Sequence, residues 1–404
     1  MKKKVMVTIF IVILVLPMVS WPLVSLFDLP TLDENREKAP FPKFGDDLFS
    51  QFDKYFADRA PYRDLLIRLY NNVARKLGLL YEGMIYPNDG ADDPDDGDPD
   101  GNTGDNPNEN TPEKPDFFTS LNGAIFGQND WLFYTGDNSV SYYKGNNLPT
   151  EAELRDYVAR AEKVNNYFKS LGKQFIIFIA PNKEQIYSEY MPRGISVVNK
   201  VKRADVIYNY FKEHSNVTVL YPKAELLEAK KNGVLYYQQD THWNELGGWI
   251  GAKALLKALN ITPSNVTISE TTHYGGDLAM MAAMNPAAYT AYNVSYRPEI
   301  TVETKLFNLY ESEYQSSNKN GKTLLMIGDS FREAMRGVLA KEFEYSIFNN
   351  GGASTGYFGW ERRYTEEFFA ADVIVFEAVE RLEYTQMFTD WWGFLQRVID
   401  IYGL

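Results

Sequence analysis

The sequence predicts an α/β fold built on a doubly wound, mostly parallel sheet across residues 117–404. Three observations predict it. Gln174–Ala180 (QFIIFIA) is a continuous apolar run closed by Pro181, the mark of a strand buried on both faces. From there apolar strand-like runs alternate with amphipathic helical stretches to the end of the chain. Lys322–Ile327 (KTLLMI) is a second buried-type strand, followed by Gly328-Asp329-Ser330 and then a helix. Ligands of open α/β sheets bind at such strand ends.

The elements follow in order. Gly123 to Asp137 contains Ile125-Phe126-Gly127 and Trp131-Leu132-Phe133-Tyr134 with turn residues between, which predicts a short hairpin. A helix is expected over about 150–171, then the strand 174–180. Helix 200–213, strand 217–220, helix 244–259, strand 323–327, helix 331–342, strand 345–349, helix 362–370, strand 372–377 and a final helix 388–401 complete the alternation. No internal repeat is visible.

Three segments precede this domain. Lys2, Lys3 and Lys4 stand before an uncharged run from Val5 to Phe27. As a helix that run would span about 35 Å, enough for a hydrocarbon core of about 30 Å. Residues 1–27 are therefore expected to be an uncleaved signal-anchor transmembrane helix at the cell membrane. The basic cluster would stay inside and the C-terminal domain outside. A cleaved signal peptide is the rival reading; no clean small-x-small site follows the run, and Pro17 and Pro22 keep the rival open. Residues 28–86 read as a membrane-proximal helical stalk, with apolar residues at helical spacing from Leu48 to Leu77 and a break at Pro61. Residues 87–116 hold eleven Asp and Glu against one Lys, with almost nothing apolar. Such a stretch buries too little surface to offset its ordering entropy, and is expected to be a disordered acidic linker.

That linker carries most of the net charge of −13, so the folded part is close to neutral and offers no basic patch for nucleic acid. There are no cysteines, which excludes disulfides and thiolate metal sites. Three dispersed histidines, His214, His242 and His273, give no metal-ligand spacing. Neither metal nor cofactor is expected.

The chemistry lies in two segments. A Ser hydroxyl needs a base with a pKa near the working pH, and that base needs a carboxylate to fix its tautomer. Asp240-Thr241-His242 puts a carboxylate two residues before an imidazole, in a loop ahead of a helix. Ser330 stands at a strand-to-helix turn, where free N–H groups and the helix dipole favour an oxyanion. Asp329 and Ser330 would also serve as simple helix caps. The presence of both segments in one domain favours the triad Ser330, His242 and Asp240 over capping.

Gly328-Asp329-Ser330-Phe331 resembles the first motif block of the SGNH (GDSL-like) esterase fold, of flavodoxin-like topology. The order is permuted, because Asp and His precede Ser. With Asp240-x-His242-Trp243 upstream, it resembles the alginate O-acetyltransferase (AlgJ- and AlgX-like) group and the related DHHW-motif proteins. Trp131–Tyr134, Ala180–Lys183, Pro222-Lys223, Gly276–Leu278 and Glu377–Arg381 agree in kind. The resemblance implies Ser330 as nucleophile, His242 as general base and acid, and Asp240 as orienting carboxylate. It implies a polysaccharide acceptor and a membrane-bound O-acyltransferase partner that supplies the acetyl group.

Two departures stand out. The usual Gly-x-Asn-Asp block is replaced by Glu377-Ala378-Val379-Glu380-Arg381, and Thr241 stands where the DHHW group has its first His. The oxyanion donors are thus open, with the Ser330 N–H and a backbone N–H near Gly351-Gly352 as candidates. Lys183, Arg332 and Arg381 are candidates to face the strand-end crevice, with a surface salt bridge as the alternative for each. Trp243 and Tyr357 are candidates to stack on sugar rings, with core packing as the alternative. The expected function is an extracytoplasmic O-acetyltransferase. A carbohydrate acetylesterase with the same triad, and a non-catalytic glycan-binding envelope protein, are the alternatives.

Overall fold

The computed structural model describes residues 39–43, 48–59, some positions between 63 and 73, 123–307 except 285, 311–350, 367–381 and 391–404. The expected anchor and acidic linker, together with Gly351, Gly352 and Tyr357, lie outside these residues. Among the described residues no helix is long and apolar enough to cross a membrane.

The chain divides into two compact units. One holds the residues up to Phe126 together with Gly275–Ala287. Its described elements are α1 (Leu48–Ala57), β1 (Ala124–Phe126) and α8 (Asp277–Met281). Around α1, the Ala39 N–H donates to Asp58 at 2.8 Å, and Arg59 lies 3.9 Å over the Tyr55 ring.

The other unit, Gly127–Tyr274 with Ala288–Leu404, carries the main sheet. Its first half contains β2 (Leu132–Tyr134), α2 (Ser139–Lys144), α3 (Glu151–Ser170), β3 (Gln174–Ala180), α4 (Lys183–Ile186), α5 (Arg203–His214), β4 (Thr218–Leu220), α6 (Lys223–Ala229) and α7 (Glu245–Ala258). Its second half contains β5 (Val266–Tyr274), β6 (Ala288–Tyr296), β7 (Val302–Phe307), β8 (Glu311–Ser316), β9 (Thr323–Gly328), α9 (Arg332–Glu342), β10 (Tyr345–Asn350), β11 (Val373–Val379) and α10 (Trp391–Tyr402). β1 and β2 each form as strands where they are expected, and in the second unit the Gly127 N–H donates to the Trp131 carbonyl at 2.8 Å.

The sheet order is β4-β3-β11-β9-β10-β8-β7. The strands from β4 to β10 are parallel, in the register Val379 opposite Ala180 and Phe376 opposite Ile327. The expected parallel core is therefore present, but the sheet is mixed: β8 runs antiparallel to β10, and β7 antiparallel to β8. The sequence alternation passes over residues 260–322, where β7, β8 and the separate antiparallel ribbon β5–β6 form. β5 and β7 are rich in Thr, Ser and Glu and largely exposed, and β8 (ESEYQS) is polar although none of it is exposed, so these strands lack the apolar run that marks a buried strand.

One face of the sheet packs under α3, α5 and α10. Phe175, Ile177 and Ile179 of β3, Ile374 and Phe376 of β11, and Leu325 and Ile327 of β9 form a core with Phe168, Phe211 and Leu395. The period of two then points Ile176, Phe178, Leu324 and Met326 to the opposite face, where they are also buried. There α7 and α9 meet closely. A Cβ on Gly248 would lie 2.4 Å from the Ala334 side chain, so only glycine allows this approach.

Candidate active site

Two strand-end features converge on one point. The nucleophile turn follows β9. Ser330 is exposed there, between buried Asp329 and fully buried Phe331. Asp329 holds the turn from both sides: one carboxylate oxygen accepts from the Phe331 N–H and the other from the Val379 N–H, each at 2.7 Å. The first bond is a local cap and the second ties the turn to the end of β11. The Asp329 N–H donates to Glu377 at 3.1 Å. Burial pushes the Glu377 carboxyl well above the usual range, and the neighbouring Asp329 charge adds to the shift. Glu377 also sits against Gly328, where a Cβ would fall 2.2 Å from its carboxyl oxygen.

The base arrives on the loop between α6 and α7. The loop narrows through a bridge between Tyr236 and Trp243, with the Tyr237 N–H on the His242 carbonyl at 3.1 Å. Asn244 then caps α7, accepting from the Leu246 and Gly247 N–H groups at 2.9 and 3.1 Å. Trp243 is 1% exposed and donates its indole N–H to the Phe331 carbonyl at 2.8 Å, which fastens the base loop to the nucleophile turn.

The triad residues meet. His242 Nδ1 lies 2.6 Å from Asp240 Oδ1, and His242 Nε2 lies 2.6 Å from Ser330 Oγ. The same Asp240 oxygen accepts from the His242 backbone N–H at 2.9 Å, so the two-residue spacing closes a small ring. A carboxylate only accepts, so Nδ1 carries the proton of the neutral imidazole, and Nε2 is left to accept from the Ser330 hydroxyl. Thr241 Oγ1 stands 3.2 Å from Nδ1, and the Phe331 ring flanks the imidazole at 5.0 Å. This arrangement can take a proton from Ser330 and return it to a leaving group. The Ser330 N–H makes no hydrogen bond among the described residues, and Ser330 stands two residues ahead of α9. The N–H is thus available to an oxyanion.

The remaining candidates are placed differently from the sequence expectation. Lys183, Arg332 and Arg381 do not line an open crevice; they are 2, 4 and 8% exposed. Lys183 donates to three main-chain carbonyls, those of Leu132, Gln238 and Asp240. Arg332 donates to the Asp329 carbonyl at 2.5 Å and pairs with Glu333 at 3.1 Å. Arg381 donates to Asn182 at 3.0 Å and lies over the Tyr134 and Phe331 rings. Trp243 is core, with no face for a sugar. The interior must satisfy the groups these side chains carry; carbonyls do so for the Lys183 ammonium, while Nε of Arg332 and of Arg381 is buried with no hydrogen-bond partner among the described residues. Sequence reasoning missed Glu377 as a support of the nucleophile turn. Its signal was present: a lone Glu inside an otherwise apolar strand, VIVFEAV.

Comparison with known proteins identifies the family and the fold. The chain belongs to the family described as the SGNH hydrolase-like domain of acetyltransferase AlgX, which it matches over residues 124–367. It has the SGNH-like α/β fold of that family, with a mixed central sheet. It is 26% identical over 175 residues to a probable alginate O-acetylase AlgJ of Pseudomonas putida, covering 41% of this chain and 43% of that protein. The chain thus spans about two fifths of the length of the curated relatives it matches. Among solved structures, it is similar to a DHHW family protein from Eubacterium siraeum (17% identity, TM-score 0.43, 56% of this chain and 85% of the other). It is also similar to the O-acetyltransferase domain of Pseudomonas putida AlgJ (18% identity, TM-score 0.42, 64% of this chain and 92% of the other).

Proposed function

We propose that this protein is an extracytoplasmic O-acetyltransferase that acetylates a cell-surface or secreted polysaccharide through an acetyl-serine intermediate. The observation that carries the reading is the unbroken chain of contacts from Asp240 through His242 to Ser330, 2.6 Å at each link. Membership of an acetyltransferase family supports the group transferred, and the names of the alginate O-acetylase relatives support a polysaccharide acceptor. The anchor at residues 1–27 and a membrane-bound O-acyltransferase that delivers the acetyl group belong to the same proposal, on the sequence argument alone.

The steps follow from the geometry. His242 Nε2 takes the Ser330 proton as Oγ attacks the carbonyl carbon of a donor acetyl ester. The Ser330 N–H would bind the oxyanion. The tetrahedral intermediate collapses, the donor C–O bond breaks, and the imidazolium returns its proton to the leaving alcohol. A sugar hydroxyl then gives its proton to His242 and attacks the acetyl-serine carbonyl. Collapse releases the acetylated sugar, and Ser330 regains its proton. Asp240 holds Nδ1–H throughout and stabilises the imidazolium.

The test uses the full chain with a chromogenic acetyl ester, with and without an oligosaccharide acceptor. Wild type is expected to form acetylated sugar faster than free acetate, and Ser330→Ala is expected to lose roughly 10⁴-fold or more of that rate. Equal rates for wild type and Ser330→Ala would refute the enzyme reading. Release of acetate alone, at saturating acceptor, would reassign the protein as an acetylesterase.

A further inference from the structure

We infer that Lys183 is a positioning residue of the triad, whose buried ammonium fixes the main chain that carries Asp240. The inference rests on the Ser330–His242–Asp240 reading above. Lys183 opens α4 shortly after β3, so its backbone is set by a strand buried from Phe175 to Ala180. Its side chain reaches under the base loop. Nζ stands 2.6 Å from the Leu132 carbonyl oxygen and 2.9 Å from each of the Gln238 and Asp240 carbonyl oxygens. An ammonium has three N–H donors, and here three carbonyls stand within reach of them. The Trp131 and Phe133 rings lie 5.0 and 5.3 Å from Nζ and cover it.

This arrangement is demanding. Moving an ammonium out of water is costly unless acceptors replace its hydration shell. The carbonyls of 238 and 240 must therefore keep pointing at Nζ, and any drift of that segment uncovers a charge. The loop needs such a fixture, since it has no strand ladder of its own apart from the Tyr236–Trp243 bridge. Leu132 adds a second thread, because its N–H donates to the same Gln238 carbonyl at 3.0 Å. Lys183 thus links β2, the end of β3 and the backbone of Asp240 through one atom. The carboxylate then meets His242 Nδ1 at 2.6 Å without holding its own loop in place.

The absence of cysteine from the sequence gives a clean chemical test in the full chain. Lys183→Cys carries a single thiol. Alkylating it in the unfolded state with 2-bromoethylamine restores an ammonium at nearly the length of lysine. Wild type taken through the same treatment is the control. Three readouts are followed: the melting transition, the rate at which a fluorophosphonate labels Ser330, and the low-field proton resonance of the Asp240–His242 hydrogen bond.

Lys183→Cys is expected to fold, to label roughly 100-fold more slowly and to lose the low-field resonance, as a displacement near 1 Å would cause. The alkylated form is expected to recover the resonance and to label within about threefold of wild type. A folded Lys183→Cys that keeps the resonance and labels like wild type overturns the inference. Failure of the alkylated form to recover, beside a control that does, overturns it as well. Failure of both Lys183→Cys and Lys183→Met to fold would make Lys183 a stability residue and also overturn it. Wild type that labels at Ser330 but transfers no acetyl group refutes the proposed reaction and leaves the positioning inference to be decided by these readouts. Wild type that labels no faster than Ser330→Ala refutes the triad and this inference together.

Discussion

The nucleophile turn and the base loop deliver their side chains to the same point, but opposite charges hold them. Ser330 sits directly on a central strand, and the turn beneath it is fastened by acids: Asp329 across two backbone N–H groups, and Glu377 under Gly328. His242 comes on an excursion between α6 and α7, fastened by a cation, Lys183, against backbone carbonyls. Each arm supplies what its backbone lacks. A strand end followed by a helix start exposes N–H groups and calls for acceptors. A loop that doubles back exposes carbonyls and calls for a donor. The Trp243 indole then joins the arms by donating to Phe331.

The largest effect expected from breaking this comparison falls on the nucleophile arm. Gly328→Ala would place a Cβ 2.2 Å from the Glu377 carboxyl oxygen, 2.9 Å from its Cβ and 3.0 Å from its main-chain oxygen. Strand backbone cannot retreat from two sides, so destabilisation of about 3 kcal/mol or more is expected, read from the urea midpoint. A variant within about 0.5 kcal/mol of wild type would show that the turn is looser than described.

Asp329→Asn is milder and separates the arms. The amide keeps one acceptor oxygen, while its NH₂ must face a backbone N–H. A loss of about 2 kcal/mol is expected. Ser330 labelling should slow while the low-field Asp240–His242 resonance persists, because nothing in the base loop has changed. Loss of both signals together would mean that the arms are not independently held.

The legibility of the two arms follows the same divide. Gln174–Ala180 is a strand to the residue, since an uninterrupted apolar run closed by proline has one natural reading. Ser330 was legible for the same reason: it ends such a run. Asp240 and His242 were legible because they are two residues apart and the carboxylate reaches the ring locally. What holds them was not. Lys183 serves Leu132, Gln238 and Asp240, which lie 51 to 57 positions away, and no local pattern encodes that meeting. A lysine beside a strand end reads as a surface charge, as does Arg332, and both are buried. Trp243 was ambiguous between core and sugar platform until Phe331 supplied its acceptor. The edge strand β7 and its neighbour β8 went unread because VETKLF carries only weak alternation and ESEYQS no apolar run.

An effect no larger than that of Asp329→Asn, and dependent on pH, is expected from one buried acid. Glu380 follows β11, is fully buried, and accepts from the Tyr221 hydroxyl at 2.6 Å. Burial raises its carboxyl from the ordinary 4.5 to about 7, and the Tyr221 bond only partly offsets that. Below pH 4.5 the group is neutral in the folded and unfolded chains alike. As pH rises the unfolded chain releases its proton first, while the folded chain holds it until about 7. Stability is therefore lost progressively across this window and stays level, for this group, above it. Glu380→Gln keeps an acceptor for Tyr221 and removes the titration. Wild type should lose about 2 kcal/mol more than the variant between pH 5 and 7, on the order of 4 °C in Tm. Parallel curves would mean that Glu380 is ionised in the fold. The interior would then hold a carboxylate as well as the Lys183 cation, and the contrast between an acid-fastened and a cation-fastened arm would hold only at the first contact.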